Sequence, residues 1–450
     1  MRAFRLPTLV WLLLLAGSRP ATAERLAGTA VPNHYDLAFE LDLAHARFDC
    51  AETIRVHLTE PSRRIVLHAV DLRFHEATID SEGTAQTATV TLDATTETVA
   101  LEVPRELPAG PVAIRVRFGG RLGDKLRGFY LSRAAGRRYA VTQFESTDAR
   151  RAFPAFDEPA YKATFAIALT IDRRDTAISN GRVLSDTAGP GAGRHTLRFA
   201  ETPKMSTYLV AMAVGDFRCL AGRTDDVPIR VCATPDNKDL SRVALHATEQ
   251  ILAYYNRYFS IRYPFGKLDL VAIPDFAAGG MENTAAIFVR EADVMTDART
   301  ASVPALKRIW SLIAHEIAHQ WFGDLVTMRW WDDLWLNEGF ATWMEKRPLA
   351  AVKPEWRMAV DEAAETEGAI NTDSLATTRA IRGRVETPIE IEETFDSIAY
   401  EKGAAVLRML EGFLGPETFR RGLNVYLERH AYGSVTSEAF AAAIDRKSVV

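Results

Sequence analysis

The spacing of hydrophobic residues differs between the two halves of the chain. In the first half, from about residue 26 to residue 218, short runs alternate apolar and polar positions and are separated by Gly, Pro and Asp turns. Alternation with a period of two is typical of strands that bury one face. The pattern predicts an antiparallel β domain, either a sandwich or a saddle-shaped sheet. The runs that carry this prediction are 35–41, 53–58, 112–118, 163–171 and 195–199.

In the second half the hydrophobic residues follow a helical period. Residues 243–259 carry apolar side chains at helical spacing, and later segments do the same. Three strand-like runs, at 229–233, 268–273 and 285–290, lie close to this change. We therefore predict an α+β domain in which a small sheet is followed by helices.

Length and composition agree with a multidomain globular protein. The 450 residues are enough for two or three domains, and the hydrophobic and charged fractions of 47% and 25% are ordinary. We place the boundary within residues 216–228, with the β domain at 24–222 and the later domain at 223–450.

The net charge of −5 at pH 7 provides no basic surface for a phosphate backbone, so nucleic acid is not an expected partner.

The first 23 residues have the organisation of a secretory signal peptide. Arg2 and Arg5 form a basic region, residues 9–17 a short apolar segment, and residues 21–23 a small-x-small cleavage sequence. The apolar segment is too short to span a bilayer, and no later segment is long enough. We expect an exported protein, periplasmic or extracellular, without a membrane span. An uncleaved N-terminal anchor is the alternative.

Three cysteines are too few for a disulfide framework. Cys219 and Cys232 flank a turn-rich stretch between two strand-like runs, so they are able to face each other across a hairpin. In an oxidising compartment this arrangement would allow one bridge. The alternative is that both, like Cys50, are buried apolar residues.

Residues 310–323 contain the clearest candidate for a metal-binding and catalytic motif. Their apolar positions, and the absence of Pro and Gly before Gly323, predict a buried helix. His315 and His319 are one turn apart, so both project from the same face and are able to bind one metal ion. Glu316 lies beside them and is placed to accept a proton from water rather than to act as a ligand. The alternative is a pair of core histidines that only form hydrogen bonds with their neighbours.

A catalytic zinc ion requires a third protein ligand and one open position. The candidate is Glu338, which opens the next helical pattern and is separated from His319 by eighteen residues. Zinc would polarise a carbonyl group and lower the pKa of water towards about 7, while Glu316 passes the proton to the leaving amine. The pattern therefore predicts hydrolysis of an amide bond with one zinc ion per chain.

These motifs resemble those of the aminopeptidase N family of zinc aminopeptidases, which are gluzincins. The similarity rests on the His-Glu-x-x-His motif at residues 315–319, on the trailing Glu338, and on Gly-Gly-Met-Glu-Asn at residues 279–283. It extends over about residues 33–432. The resemblance implies an N-terminal β domain followed by a thermolysin-like catalytic domain, and peptides with a free N-terminus as substrates.

The resemblance also implies roles for individual residues. Glu282 corresponds to the exopeptidase glutamate that binds the free ammonium group of the substrate, and Glu145 to a second carboxylate that the β domain contributes. Tyr400 matches the tyrosine that stabilises the oxyanion in the transition state. The main chain at residues 279–281 would bind the peptide as an added strand. The implied substrate-binding residues are Gln143, Glu145, Gly279, Gly280, Met281, Glu282 and Asn283.

One further residue is predicted to support the metal centre. Glu345 lies two helical turns after Glu338 and is placed to orient a histidine ligand. Asp324, Asp332 and Asp333 are also close in sequence. The alternative role for these three aspartates is that of caps that flank helices.

The chain departs from the family pattern in two respects. Gly280 stands where the family motif usually has Ala, which removes one methyl group. Family members usually continue into a small β domain and a helical C-terminal domain, and we expect both to be absent here.

The function expected from these features is that of a zinc aminopeptidase. A non-catalytic peptide-binding protein, or an inactive fragment on the same fold, is the alternative because of the missing C-terminal domains. A zinc endopeptidase is disfavoured, because Glu145 and Glu282 would occupy the space of a preceding residue.

Overall fold

The computed structural model describes residues 25–445. The signal peptide predicted at residues 1–23 therefore lies outside the described part of the chain. Among the helices of residues 25–445, none combines the length and the apolar character that crossing a bilayer requires.

The first half of the described chain consists mainly of β-strands that form three sheets. The largest has eight strands, and two smaller sheets have three and four strands. The predicted β domain is confirmed. In chain order the strands are β1 (Ala30–Asp42), β2 (Arg47–Leu58), β3 (Ser62–His68), β4 (Arg73–Ser81), β5 (Thr84–Thr87), β6 (Thr89–Asp93), β7 (Thr98–Leu107), β8 (Gly110–Arg121), β9 (Gly128–Ala134), β10 (Arg137–Gln143), β11 (Thr164–Asp172), β12 (Thr176–Ser179), β13 (Val183–Ala188), β14 (Arg194–Phe199) and β15 (Met212–Gly215).

The order of strands in the large sheet is β13-β14-β11-β1-β2-β8-β4-β5. The smaller sheets have the orders β3-β7-β6 and β12-β15-β10-β9. One pair differs from the antiparallel prediction, because β1 and β11 run parallel, with Leu37 opposite Ile167. Alternation of apolar residues shows which face of a strand is buried but not which way a distant neighbour runs.

Strand β1 shows how the alternating pattern builds the core of the β domain. Tyr35, Leu37 and Phe39 are buried on one face of this strand. Tyr35 stacks on Phe165 of β11 with ring centroids 4.8 Å apart. Each such side chain contributes about 1.5–3 kcal/mol when it is fully buried.

The second half combines a five-stranded sheet with helices, as the sequence predicts. The sheet has the order β16-β17-β18-β20-β19, and a short parallel pair joins β21 to β22. The elements are β16 (Arg218–Thr224), β17 (Val227–Ala233), α1 (Arg242–Phe259), β18 (Leu268–Ile273), β19 (Gly280–Met281), β20 (Ala286–Arg290), α2 (Glu291–Val294), α3 (Val303–His319), β21 (Val326–Met328), α4 (Trp335–Val352), α5 (Met358–Asp373), α6 (Pro388–Glu392), a π-helical turn (Ile398–Lys402), α7 (Gly403–Leu414), α8 (Pro416–His430), β22 (Gly433–Val435) and α9 (Ser437–Ile444).

Short 3₁₀ turns connect several of these elements. They are Ala149–Arg151, Thr207–Leu209, Pro235–Ser241, Trp331–Asp333 and Pro354–Trp356.

Sheet membership changes between β15 and β16. In the antiparallel pair of β16 and β17, Cys219 lies opposite Cys232 and the two form a disulfide, while Cys50 is buried and free. This change falls at the start of the predicted boundary region 216–228, and the division after residue 222 lies within β16. The domain limits themselves stay a prediction.

The two halves share one hydrophobic cluster. The core of the β domain extends to Phe276, Met281 and Trp331 of the second half. The Tyr130 hydroxyl also donates a hydrogen bond of 2.7 Å to the main-chain oxygen of Asp275. Side chains from both halves are therefore able to line one cavity.

Candidate active site

Helices α3 and α4 bring the three predicted metal ligands together. The Nε2 atoms of His315 and His319 lie 3.0 Å apart. The Oε2 atom of Glu338, in the first turn of α4, lies 3.2 Å from the first of them and 3.3 Å from the second. The three ligand atoms all lie within 4.8 Å of one another. Two residues that share a helix face and one from the neighbouring helix thus converge on one point.

Hydrogen bonds on the far side of each imidazole fix its orientation. Nδ1 of His315 lies 2.9 Å from Oε2 of Glu345, and Nδ1 of His319 lies 3.0 Å from the main-chain oxygen of Phe322. Both acceptors require a proton on Nδ1, so Nε2, which is directed at Glu338, is the atom of each imidazole that would bind a metal ion. Glu345 is therefore at the position that its predicted role requires.

Two of the three aspartates named as alternatives have an arginine partner. Asp332 and Asp333 both form ion pairs with Arg382. Asp324 differs from them, because its buried carboxylate oxygens have no hydrogen-bond partner in the described part of the chain and only its main-chain oxygen accepts a hydrogen bond, from Lys162. The structure thus favours Glu345 over the aspartates as the residue that orients a histidine.

The charges of the cluster fit a divalent cation. Burial opposes ionisation of Glu338, but His319 and hydrogen bonds from both histidines lower its pKa to about 2. Two imidazoles and one carboxylate are a donor set typical of catalytic zinc. The residues therefore fit zinc.

Glu316 is buried next to the histidines. Its Oε2 atom has no hydrogen-bond partner within residues 25–445. Burial raises its pKa to about 8. A methyl group added at Gly280 would overlap the Glu316 side chain. The Gly that departs from the family motif therefore provides the space in which this carboxylate lies.

The ligand cluster lines a cavity of about 650 Å³ between the two halves. The β domain and the second half contribute polar and charged side chains to it. Its lining residues are Lys125, Leu126, Arg127, Gln143, Glu145, Asp148, Ala277, Ala278, Gly279, Gly280, Glu282, His315, Glu316, His319, Glu338, Glu392, Phe395 and Tyr400.

Glu145 and Glu282 place two further carboxyl groups in this cavity. Within residues 25–445 neither forms an ion pair, and Oε1 of Glu145 has no hydrogen-bond partner. Burial raises the pKa of both groups. Two carboxyl groups without a cationic partner, Glu282 buried and Glu145 half-buried, are suited to a positively charged ligand such as an ammonium group.

Residues 279–283 form the edge of the five-stranded sheet. Among the described strands, β19 pairs with β20 alone, with Met281 opposite Phe288. Its other edge is available for an extended peptide. The amide of Gln143 lies 3.5 Å from the Met281 sulfur, and Asn283 is fully buried behind the strand.

Tyr400 reaches the metal centre from the π-helical turn before α7. Its ring lies nearly parallel to that of His315, with centroids 5.9 Å apart. Burial raises the pKa of the phenol well above its ordinary value. The hydroxyl therefore stays protonated at neutral pH and is able to donate a hydrogen bond.

Two residues at the site were not singled out by the sequence analysis. Gln320 donates a 2.8 Å hydrogen bond to the main-chain oxygen of Glu282 and accepts one of 2.9 Å from the amide of Ala285. The Asn337 side chain donates a 3.1 Å hydrogen bond to Oε1 of Glu282. Each is adjacent in sequence to a predicted metal ligand. This adjacency is the one feature of the sequence that could have pointed to a role for them at the site.

Comparison with known proteins assigns both halves. A family model described as the Peptidase family M1 domain matches residues 243–449, and the Peptidase M1 N-terminal domain matches residues 31–209. The chain belongs to peptidase family M1. The resemblance to the aminopeptidase N family is thereby confirmed, and so is the order of a β domain followed by a peptidase domain.

Curated relatives support the same family. This M1 chain is 40% identical to aminopeptidase M1-C of Oryza sativa subsp. japonica, over 94% of the chain and 48% of the relative. It is 38% identical to aminopeptidase M1 of Arabidopsis thaliana, over 94% and 49% respectively. It is 40% identical to endoplasmic reticulum aminopeptidase 2 of Homo sapiens, over 92% and 44%. The chain thus spans about half the length of these relatives.

Proposed function

We propose that the chain is a zinc-dependent aminopeptidase that removes the N-terminal residue from peptides. One observation carries this proposal. A single cavity contains the converging donors of His315, His319 and Glu338 and, in addition, the carboxyl groups of Glu145 and Glu282. The names of the M1 relatives, which are aminopeptidases, support the same activity.

His315, His319 and Glu338 would hold the metal. When bound, zinc supplies Lewis acidity towards the carbonyl group of the scissile bond and lowers the pKa of water. Glu316 accepts a proton from the attacking water and delivers it to the leaving amine. A pKa near neutrality, which burial gives this carboxyl group, suits both steps.

The other residues bind the substrate and the developing charge. Glu145 and Glu282 bind the ammonium group of the first residue, and the open edge of β19 pairs with the substrate main chain. The Tyr400 hydroxyl donates a hydrogen bond to the oxyanion that forms at the attacked carbonyl. Because the ammonium group is fixed at one place, the first peptide bond lies at the metal centre.

The signal peptide predicted at residues 1–23 supports a location outside the cytoplasm. We propose that the protein acts in the periplasm or the extracellular space on peptides with a free N-terminus.

Hydrolysis of a panel of fluorogenic aminoacyl amides tests the proposal. We expect cleavage of the free-amine substrates, loss of cleavage with a zinc chelator, and recovery when zinc is restored. N-acetylated versions of the same amides are the control and should not be cleaved. Equal cleavage of the acetylated compounds would indicate an endopeptidase. A folded protein with one bound zinc ion and no cleavage would exclude the proposed activity.

A further inference from the structure

The contacts of Glu282 single out one neighbouring side chain. Asn337 and Glu282 are 1% and 2% exposed. Nδ2 of Asn337 lies 3.1 Å from Oε1 of Glu282 and 3.4 Å from the Tyr208 hydroxyl. No other side chain within residues 25–445 donates a hydrogen bond to this carboxylate. Among the described side chains, the Asn337 amide is therefore the one that orients the Glu282 carboxylate.

The orientation of the Asn337 amide follows from its surroundings. Its Oδ1 atom has no hydrogen-bond partner in the described part of the chain. Rotating the amide by half a turn would direct this oxygen at the Glu282 carboxylate, and two acceptors would then face each other. The space for the amide exists because Gly323 has a φ of 135° and no side chain, and a methyl group there would overlap it.

The helix explains why this contact matters. Asn337 and Glu338 are successive residues in the first turn of α4, so their side chains point about 100° apart. One is directed at Glu282 and the other at the two histidines. The same helical turn thus fixes the carboxylate expected to bind the ammonium group relative to the metal centre.

We propose that Asn337 is a positioning residue, which holds Glu282 where the ammonium group of the substrate binds and so sets which peptide bond reaches the metal centre. This inference rests on the proposed aminopeptidase function. It assigns to Asn337 no contact with the metal and no part in proton transfer.

The test compares two ligands that differ only in the ammonium group. Leucine hydroxamate and its des-amino analogue, 4-methylpentanohydroxamic acid, carry the same metal-binding group. The ratio of their dissociation constants therefore isolates the contribution of the ammonium group. Calorimetry measures both constants for the zinc-loaded wild type, Asn337→Leu and Asn337→Ala, with bound zinc and thermal unfolding recorded for each protein. The Leu side chain has the same branched shape as Asn but no hydrogen-bond donor. The Ala variant removes the side chain beyond Cβ.

We expect both variants to bind leucine hydroxamate about tenfold more weakly, as for loss of a hydrogen bond to a charged group. Binding of the des-amino analogue should change less than threefold. The matched control is Asn256→Ala, which removes an amide with two hydrogen bonds on α1 and should leave the ratio unchanged.

Two results would contradict these expectations in different ways. If the wild type prefers the amino compound, but both Asn337 variants keep the wild-type ratio, Asn337 does not position Glu282. If the wild type itself binds both compounds equally well, the proposed ammonium site is wrong and the aminopeptidase assignment fails with it.

Discussion

At the scale of single residues, burial determines what the acidic side chains of the cavity are able to do. Glu316 and Glu338 are both nearly inaccessible to solvent. Glu338 is paired with two imidazoles and stays ionised, whereas Glu316 has a carboxylate oxygen without a partner and a pKa of about 8. The first environment suits a ligand, and the second suits a group that gains and loses a proton.

Replacing Glu316 by Gln separates proton transfer from metal binding. We expect Glu316→Gln to keep its zinc and to lose roughly 10²–10⁴ in kcat, because the amide cannot accept the proton. Metal analysis and steady-state kinetics measure the two quantities on the same sample. Unchanged turnover would exclude Glu316 as the general base.

Removal of a single hydroxyl tests Tyr400. Tyr400→Phe retains the ring that packs beside His315 but loses the donor to the oxyanion. We expect kcat to fall roughly 10²–10³-fold with little change in KM. The matched control is Tyr432→Phe, at a partly exposed position outside the cavity. A loss below about threefold in Tyr400→Phe would remove the proposed role.

At the scale of secondary-structure elements, α4 concentrates several groups of the site. Asn337 and Glu338 lie in its first turn, and Glu345 follows two turns later. Because seven residues complete nearly two turns, Glu338 and Glu345 share a face and approach the same histidine from two sides. The register of this one helix therefore sets the relative positions of a ligand and its supporting carboxylate.

Glu345 is the residue on α4 whose removal should weaken zinc binding without removing a ligand. Its Oε2 atom accepts the His315 hydrogen bond, and its Oε1 atom pairs with Lys346 at 2.5 Å. We expect Glu345→Gln to lower zinc affinity about 10–100-fold, measured by competition with a chelator of known affinity. The exposed Glu355→Gln is the control. Equal affinities in the two variants would show that Glu345 does not support the metal centre.

At the scale of the whole molecule, a buried lysine connects the halves. Lys162 belongs to the β domain, and its Nζ donates hydrogen bonds of 2.9 Å and 3.4 Å to the main-chain oxygens of Asp324 and Leu325. These two residues follow α3, which carries two of the proposed metal ligands. Burial lowers the pKa of Lys162 to about 7, while the nearby Asp324 opposes the shift.

This lysine should make stability depend on pH. Between about pH 7 and its unfolded pKa near 10.4, Lys162 is neutral in the folded state and protonated in the unfolded state. The unfolded state then binds more protons, so stability rises with pH. From pH 7 to 9, the free energy of unfolding of wild type should gain on the order of 1–2 kcal/mol relative to Lys162→Met.

Urea unfolding at matched pH values measures this difference. The exposed Lys204→Met serves as the control and should follow the wild type at each pH. A constant gap between wild type and Lys162→Met from pH 7 to 9 would contradict the expected titration.

Much of the architecture was predictable because its causes are local. The period-two runs at 35–41 and 53–58 became β1 and β2, and the helical run at 243–259 lies within α1. Helix α4 was harder to define, because nearly all of its side chains in the first three turns are buried and no polar face marks its period. The parallel direction of β11 was missed, since it depends on contacts with a strand far away in the chain.

The sequence by itself determined which residues form the proposed metal site, because a four-residue spacing on one helix fixes His315 and His319 on one face. The family resemblance, rather than spacing, implied Glu145, Glu282 and Tyr400. Only the tertiary structure decided that these groups share one cavity, because hydrophobic packing of the β domain on the peptidase half brings them together. It likewise decided the contact between the Asn337 amide and Glu282, since a hydrogen bond between residues 55 positions apart leaves no periodic signal in the chain.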